Sequence, residues 1–574
     1  MAAVSTTADP AFPPVAGAAE GEPFGVPPAS PWLRRLDRWS ERLGDRLNPI
    51  LVKETRQSLK SRQFVVTFSF LLVAALGWTV AGSLSMMPQI YTSPSAPRLL
   101  IGYYLLLALP MMLIVPLAAY RSLEAEMDDG TLELLSITAL SPWQIVLGKL
   151  GSASLQMLVY LVTLFPCVAY AYTLRGIDLP TLGWIMAILI IAAMTSTVFA
   201  LGFAPMARGR GGRIATLLVV IAALLLVQYM VGALVILTIL QGNPLPLEWT
   251  GFLLIFSTAV SVCFCHLMLT VTAAQLTPES ENRSTPIRRS LFMLTAVLIG
   301  LTAFAIEWTA GTREEALAVF FPCLLFLAVL WTLAGAMLAS ESAVITPRIQ
   351  RELPATFLGR ALLTFLTPGP ATGLVFASLT AIVLASLVAM AGERMDQLGI
   401  LGGGPRGATV LRDLAWVTCC YLIVFWNLVR WLVAAIRLNS TPRVEVGIVV
   451  LTMIAVVTAL APYSLELHAN DYRPYSYSIW QVTNWAWTLA EAGNGLPGGV
   501  IELLTLAAVV AFLFSLATVG RRVLPLRIAT PQAVLEAQAG NSGGTTIPPV
   551  TPAAAQPAES GDRDEPKAAA GGRQ

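Results

Sequence analysis

The chain has 574 residues, of which 56% are hydrophobic and 12% charged, with a formal net charge of +2. Soluble domains carry about 25% charged residues, so a soluble chain of this length would lack the polar surface to cover its domains. The composition points instead to a membrane-embedded protein. So small a charge argues against a nucleic-acid binder, and two histidines leave little for a histidine-based metal site. The six cysteines (Cys167, Cys263, Cys265, Cys323, Cys419, Cys420) all lie inside apolar runs, unlike the spacing of a secreted disulfide scaffold.

In chain order, residues 1–31 are rich in Ala, Pro and small polar residues. They lack the basic start and apolar core of a signal peptide and read as a disordered tail. Residues 32–63 form an interfacial segment. Trp32, Leu36, Trp39, Leu43 and Leu47 recur at helical spacing, with Arg34, Arg35, Arg38, Arg42 and Arg46 on the rest of the wheel. That pattern predicts an amphipathic helix in the headgroup layer of an anionic leaflet; a plain basic flank is the blander alternative. Asn48 and Pro49 interrupt it, and NPILVKETRQSLKSRQF, with Lys53, Glu54 and Arg56, leads into the membrane.

Twelve apolar runs follow, each long enough to cross about 30 Å of hydrocarbon as a helix. They are predicted at 64–86, 99–119, 151–173, 182–206, 215–240, 251–276, 291–308, 317–338, 370–391, 415–436, 445–463 and 499–519. None shows strand-like alternation, so the fold class is all-α and polytopic rather than a barrel. With the N-terminus inside, 28 of the 36 Lys and Arg residues fall on the inner side, seven outside, and Arg430 within a span. This bias predicts a cytoplasmic-membrane protein with both termini in the cytoplasm. Residues 531–574 return to Ala, Pro, Gly, Ser and Thr and read as a second disordered tail.

The segment between spans two and three carries the most information: YRSLEAEMDDGTLELLSITALSPWQIVLGKL at 120–150. It is acidic where the other inner loops are basic. Asp129-Gly130 signals a sharp turn, Thr131 can cap a short helix with Glu133 in its first turn, and Ser141-Pro142-Trp143-Gln144 has the form of a capping box. The expected arrangement is helix, turn, short leucine-rich helix over 131–139, turn, helix. A well-capped connecting loop with no further role is the alternative.

Together, LNPILVKETRQSLKSRQF before span one and this loop resemble the permeases of ATP-binding cassette transporters of the type-2 exporter class. The resemblance covers residues 32–280. The motif is matched at Glu124, Glu126, Gly130, Thr131, Glu133, Leu134, Leu135, Ser141, Pro142, Gly148 and Lys149; Asp128-Asp129 stands where a single acidic or polar residue is more usual. The resemblance implies that the first segment is an elbow at the membrane. It further implies that the loop holds a coupling helix docking on a separate ATPase subunit, which would bind ATP and Mg. The chain itself contains no G-x-x-x-x-G-K-[ST] phosphate loop, so no cofactor and no ATP hydrolysis are expected within it.

Residues 64–280 thus form a six-span permease-like unit. Residues 281–520 form a second, which is either a diverged repeat, giving an internal pseudo-dimer, or an extension on a unit that homodimerises. Its counterpart loop begins with Glu341 and ends in Pro-Gly-Pro before span nine. The longest outer segment, 464–498, holds Tyr472, Tyr475, Tyr477, Trp480, Trp485 and Trp487, which fit an interfacial belt better than an external gate. Asn427 and Arg430 in span ten are candidates for an intramembrane polar site. Cys263, Cys265 and His266 crowd one helix and cannot converge on a tetrahedral metal, and Glu307 at an outer end is expected to be wet. The reading is a permease subunit of an ATP-driven exporter. A non-transporting membrane scaffold on the same fold is the alternative.

Overall fold

The computed structural model describes residues 49–130, 141–206, 209–241, 246–278, 281–309, 312–342, 350, 356, 364–401, 405–440, 443–473 and 476–523. Among these all regular structure is helical, and twelve helices are long and apolar enough to cross a membrane. Each predicted run has its helix: Arg62–Ser85, Ala96–Asp128, Pro142–Thr173, Leu179–Met206, Gly211–Gln241 and Leu247–Leu276, then Ser284–Trp308, Arg313–Ala339, Pro370–Gln397, Gly407–Ile436, Val446–Ala469 and Val500–Val519. These are spans one to twelve. The predicted tails, and Trp32, Leu36, Trp39, Leu43 and Asn48, lie outside the described residues.

The helices outrun their apolar stretches. Span two continues through Leu123, Glu124, Ala125 and Glu126 to Asp128, beyond its apolar run at 99–119, so these acids stand on the helix expected before the turn at Asp129-Gly130. Leu, Glu, Ala and Met are strong helix formers, and a span's helix need not stop where hydrocarbon does. Midway, Pro110–Ile114 makes one turn of π-helix, with Pro110, Met111 and Met112 buried.

The outward faces are apolar, with Val65, Phe70 and Val73 of span one exposed, as suits lipid contact. Inside, two cores form. One gathers Tyr103, Tyr104, Leu107 and Met112 of span two around Leu164, Trp184 and Leu189. The other gathers Trp331, Leu374, Val417 and Trp426 from spans eight to ten. Span two packs on spans one, three, four and five, and span four on two, three, five and six. Six positions on, span eight packs on seven, nine, ten and eleven, and span ten on eight, nine, eleven and twelve. Span six against span seven joins the two sets.

The segment between spans eleven and twelve is more folded than a belt. A tight turn at Ile479–Thr483 and a helix at Trp485–Ala492 pack on spans ten and eleven. Gln481 Nε2 donates to Pro462 O (3.0 Å) and Trp485 Nε1 to Ala455 O (2.8 Å). Burial pushes the Tyr477 hydroxyl above its ordinary pKa, and it lies 2.9 Å from Thr488 Oγ1. Only Tyr472 and Trp480 keep the outward exposure expected of a belt; Tyr475 lies outside the described residues.

Candidate functional site

The basic ends of spans one to three, on either side of the 131–140 segment, form the best-built polar site. Span two ends in a turn at Gly130, whose φ of +66° is the left-handed conformation that glycine adopts without penalty. Span three begins with the predicted capping box: Gln144 N donates to Ser141 Oγ (3.3 Å) and Ser141 N to Gln144 Oε1 (2.9 Å), with Pro142 at the first helical position. Thr131, Glu133, Leu134 and Leu135, and with them the short helix expected between these two stops, lie outside the described residues.

Pro49–Leu59 is helical and lies along span three. Glycine makes this possible: a Cβ on Gly148 would sit 2.8 Å from Ile50 Cγ2 and 3.2 Å from the Leu51 nitrogen. One turn further, Ser58 Oγ and Ser152 Oγ are 3.1 Å apart. The elbow is thus seated on the helix that follows the loop.

Under the elbow lies an ion cluster. The Lys149 side chain is 1% exposed; its Nζ donates to Ser122 Oγ (2.7 Å) and pairs with Glu126 Oε2 (3.1 Å) and Glu54 Oε1 (3.4 Å). Ser122 Oγ in turn donates a hydrogen bond to Glu54 Oε2 (3.1 Å), and Lys53 reaches Glu126 from the exposed side (3.6 Å). An ammonium this deep is tolerated only when paired and hydrogen-bonded, and here its partners come from the elbow and span two. Asp128, at the last turn of span two, is bound by Arg213 at the start of span five. Of the expected residues, the structure brings together Lys53, Glu54, Glu126 and Lys149. Arg56 stays exposed, and Glu124 is half-buried on the same stretch of span two.

A second cluster occupies the matching place six spans later. Arg288 in the first turns of span seven is fully buried and donates to Phe365 O, Thr367 O and Glu341 Oε2, each at 2.6 Å. Glu341, just past span eight, also accepts from Ser284 Oγ (2.5 Å) and from Gly369 N (2.8 Å) at the start of span nine. The sequence marked Glu341 but not Arg288, whose place within a basic loop flank hid it.

Asn427 and Arg430 bind span twelve: Asn427 Oδ1 accepts from Ser515 Oγ (2.6 Å), its Nδ2 donates to Ile423 O (2.9 Å), and Arg430 Nη1 donates to Thr518 Oγ1 (3.0 Å). Their partners make them a clamp between two helices. Ser290 Oγ lies 3.0 Å from His266 Nδ1, and no group of three or more His, Cys, Asp or Glu among the described residues could hold a metal. Glu307 is exposed and paired with Arg394.

Fold and site together define a multi-pass helical membrane protein with two buried ion clusters at its basic ends. No known family model, curated protein or solved structure matches the chain.

Proposed function

We propose that the chain is the membrane-embedded permease subunit of an ATP-driven transporter, working with a separate ATPase subunit that binds ATP and Mg. Its membrane is the cytoplasmic one, its basic face is turned inward, and its direction is export. The observation that carries this reading is the Lys149 cluster. A push on the 131–140 segment reaches span two through Gly130 and span three through Ser141, and Lys149 binds both to the elbow. These helices therefore move as one body instead of the loop flexing alone. The π-turn at Pro110–Ile114 gives span two a place to bend above that body, since such turns interrupt the regular helical ladder. The loop motif that resembles the type-2 exporter permeases supplies the partner's identity. The repeated packing pattern and the Arg288–Glu341 cluster support two six-span units in one chain over a homodimer of one.

The test is co-expression with a separate Walker-motif ATPase subunit of this transporter class, followed by purification on a tag carried by this chain. The ATPase is expected to co-purify with wild type and to be lost from the Glu133→Lys, Leu134→Asp variant, while that variant keeps its helical signal. Equal recovery with both would overturn the reading.

A further inference from the structure

A cavity of about 270 Å³ opens beside the Lys149 cluster, walled by the elbow helix and spans one, two and three. Its walls change character with depth. Near the basic face are Gln57, Ser61, Gln63 and Arg121; further along are Phe64, Val115, Ala118 and Ala153. Along span three it extends from Lys149 to Tyr160, which at about 1.5 Å per residue is roughly 16 Å. The headgroup layer on one side of a bilayer is only about 5–8 Å deep, so the cavity passes from headgroup level into hydrocarbon.

Two side chains in its deeper part have nothing to bond to. Gln156 is 9% exposed and Tyr160 1% exposed; both line the cavity, and neither makes a side-chain hydrogen bond among the described residues. Their polar atoms are not sealed off by packed protein but open on the cavity, where a bound molecule can reach them. Arg121 at the mouth is exposed and makes no close ion pair among the described residues, with only the more distant charge of Glu124 acting on it, whereas the Lys149 charge is already matched by two carboxylates in contact. The groups open to a ligand therefore run in depth order from one guanidinium to an amide and a phenol, beside an apolar wall.

We infer that this cavity binds one phospholipid from the leaflet on the basic face. Its phosphate meets Arg121, its glycerol ester carbonyls accept hydrogen bonds from Gln156 Nε2 and Tyr160 Oη, and its acyl chains leave past Phe64 and Val115. A phospholipid is the abundant membrane molecule that presents an anion, then two acceptors, then hydrocarbon in that order. The site stands independently of the ATPase partner and of any transport.

The test is native mass spectrometry of the full-length chain in detergent, after delipidation and addition of phosphatidylglycerol, with inorganic phosphate and glycerol 3-phosphate as competing probes. Wild type is expected to carry one bound phospholipid that neither soluble anion displaces. The Gln156→Leu, Tyr160→Phe variant loses two hydrogen bonds to the lipid, so affinity falls about thirtyfold. Ala118→Leu, which narrows the cavity from span two, should also lower occupancy. The melting temperature of Tyr160→Phe alone reports whether the fold is intact. Equal lipid occupancy in wild type and both variants would overturn the inference, as would a wild type that takes up no lipid. Displacement of the lipid by inorganic phosphate would make this a free-anion site and overturn the lipid assignment.

Discussion

Replacing Lys149 by Met removes the ammonium and keeps most of the side chain's length, leaving two carboxylates facing each other. The Glu54 and Glu126 side chains are only 10% and 16% exposed, so water from the neighbouring cavity replaces the lost cation only in part, and Ser122 keeps only its donation to Glu54. Removing one partner of a buried ion pair costs about 3–5 kcal/mol. The exposed Lys53, at 65%, offsets little of this because exposed pairs contribute about 0–1 kcal/mol. The Lys149→Met variant should therefore lose about 3–4 kcal/mol of stability. The Lys149→Met, Glu54→Gln double variant should recover part of the loss, since no second buried charge then stands unpaired. The assay is denaturant unfolding in detergent on all four members of the cycle. A second readout is disulfide formation between Ser58→Cys and Ser152→Cys, which should slow when the elbow lifts. A Lys149→Met chain as stable as wild type, or a double variant that simply sums the two losses, would refute the claim that the cluster holds the elbow down.

Gly148→Val puts a side chain where Ile50 and the Leu51 backbone now lie. It should cost about 1–3 kcal/mol by overpacking and slow the same Ser58–Ser152 cross-link. Gly130→Ala forces a Cβ into the left-handed region at about 1–2 kcal/mol; in a complex with the ATPase it should lower ATP-dependent activity while thermal melting of the spans changes little. Arg288→Met takes away the buried cation paired with Glu341, which keeps Ser284, Gly369 N and the charge of Arg437, and should destabilise by about 3 kcal/mol, with Glu341→Gln in the same chain restoring part of it in a denaturant titration. Ser515→Ala removes the donor to Asn427 and should cost about 1 kcal/mol, measured the same way, with no change in recovery of the ATPase.

The spans were legible because their signal is local: a run of apolar residues of membrane length needs no knowledge of the rest of the chain. So were the stops. Ser141 with Gln144, and Gly130 after Asp129, are short-range patterns whose hydrogen bonds and backbone angles are decided within a few residues. The candidate site was legible only as a set of single residues. Glu54, Glu126 and Lys149 each stood in a motif, but Glu54 and Ser122 meet across 68 residues, and no periodicity encodes which carboxylate finds which cation. Arg288 was hidden for the same reason, since a buried arginine and a positive-inside arginine look alike until Glu341 is placed beside it. The apolar run of span two stops at 119 because hydropathy marks where lipid ends, whereas helix propensity carries the helix on to Asp128 and the Asp129-Gly130 turn marks its stop. The outer segment looked like a belt because aromatic content alone cannot distinguish rings facing lipid from rings packed on spans ten and eleven.

The most direct measurement is the ATP-hydrolysis rate of the partner ATPase reconstituted with this chain in lipid nanodiscs. Wild type is compared with Glu133→Lys, Leu134→Asp, and with a chain in which Ser58→Cys and Ser152→Cys are oxidised. Wild type is expected to raise hydrolysis and the loop variant not to, while the cross-linked chain, with its elbow already seated on span three, behaves as wild type. Hydrolysis that is the same with wild type, with the loop variant and with empty nanodiscs would contradict that expectation.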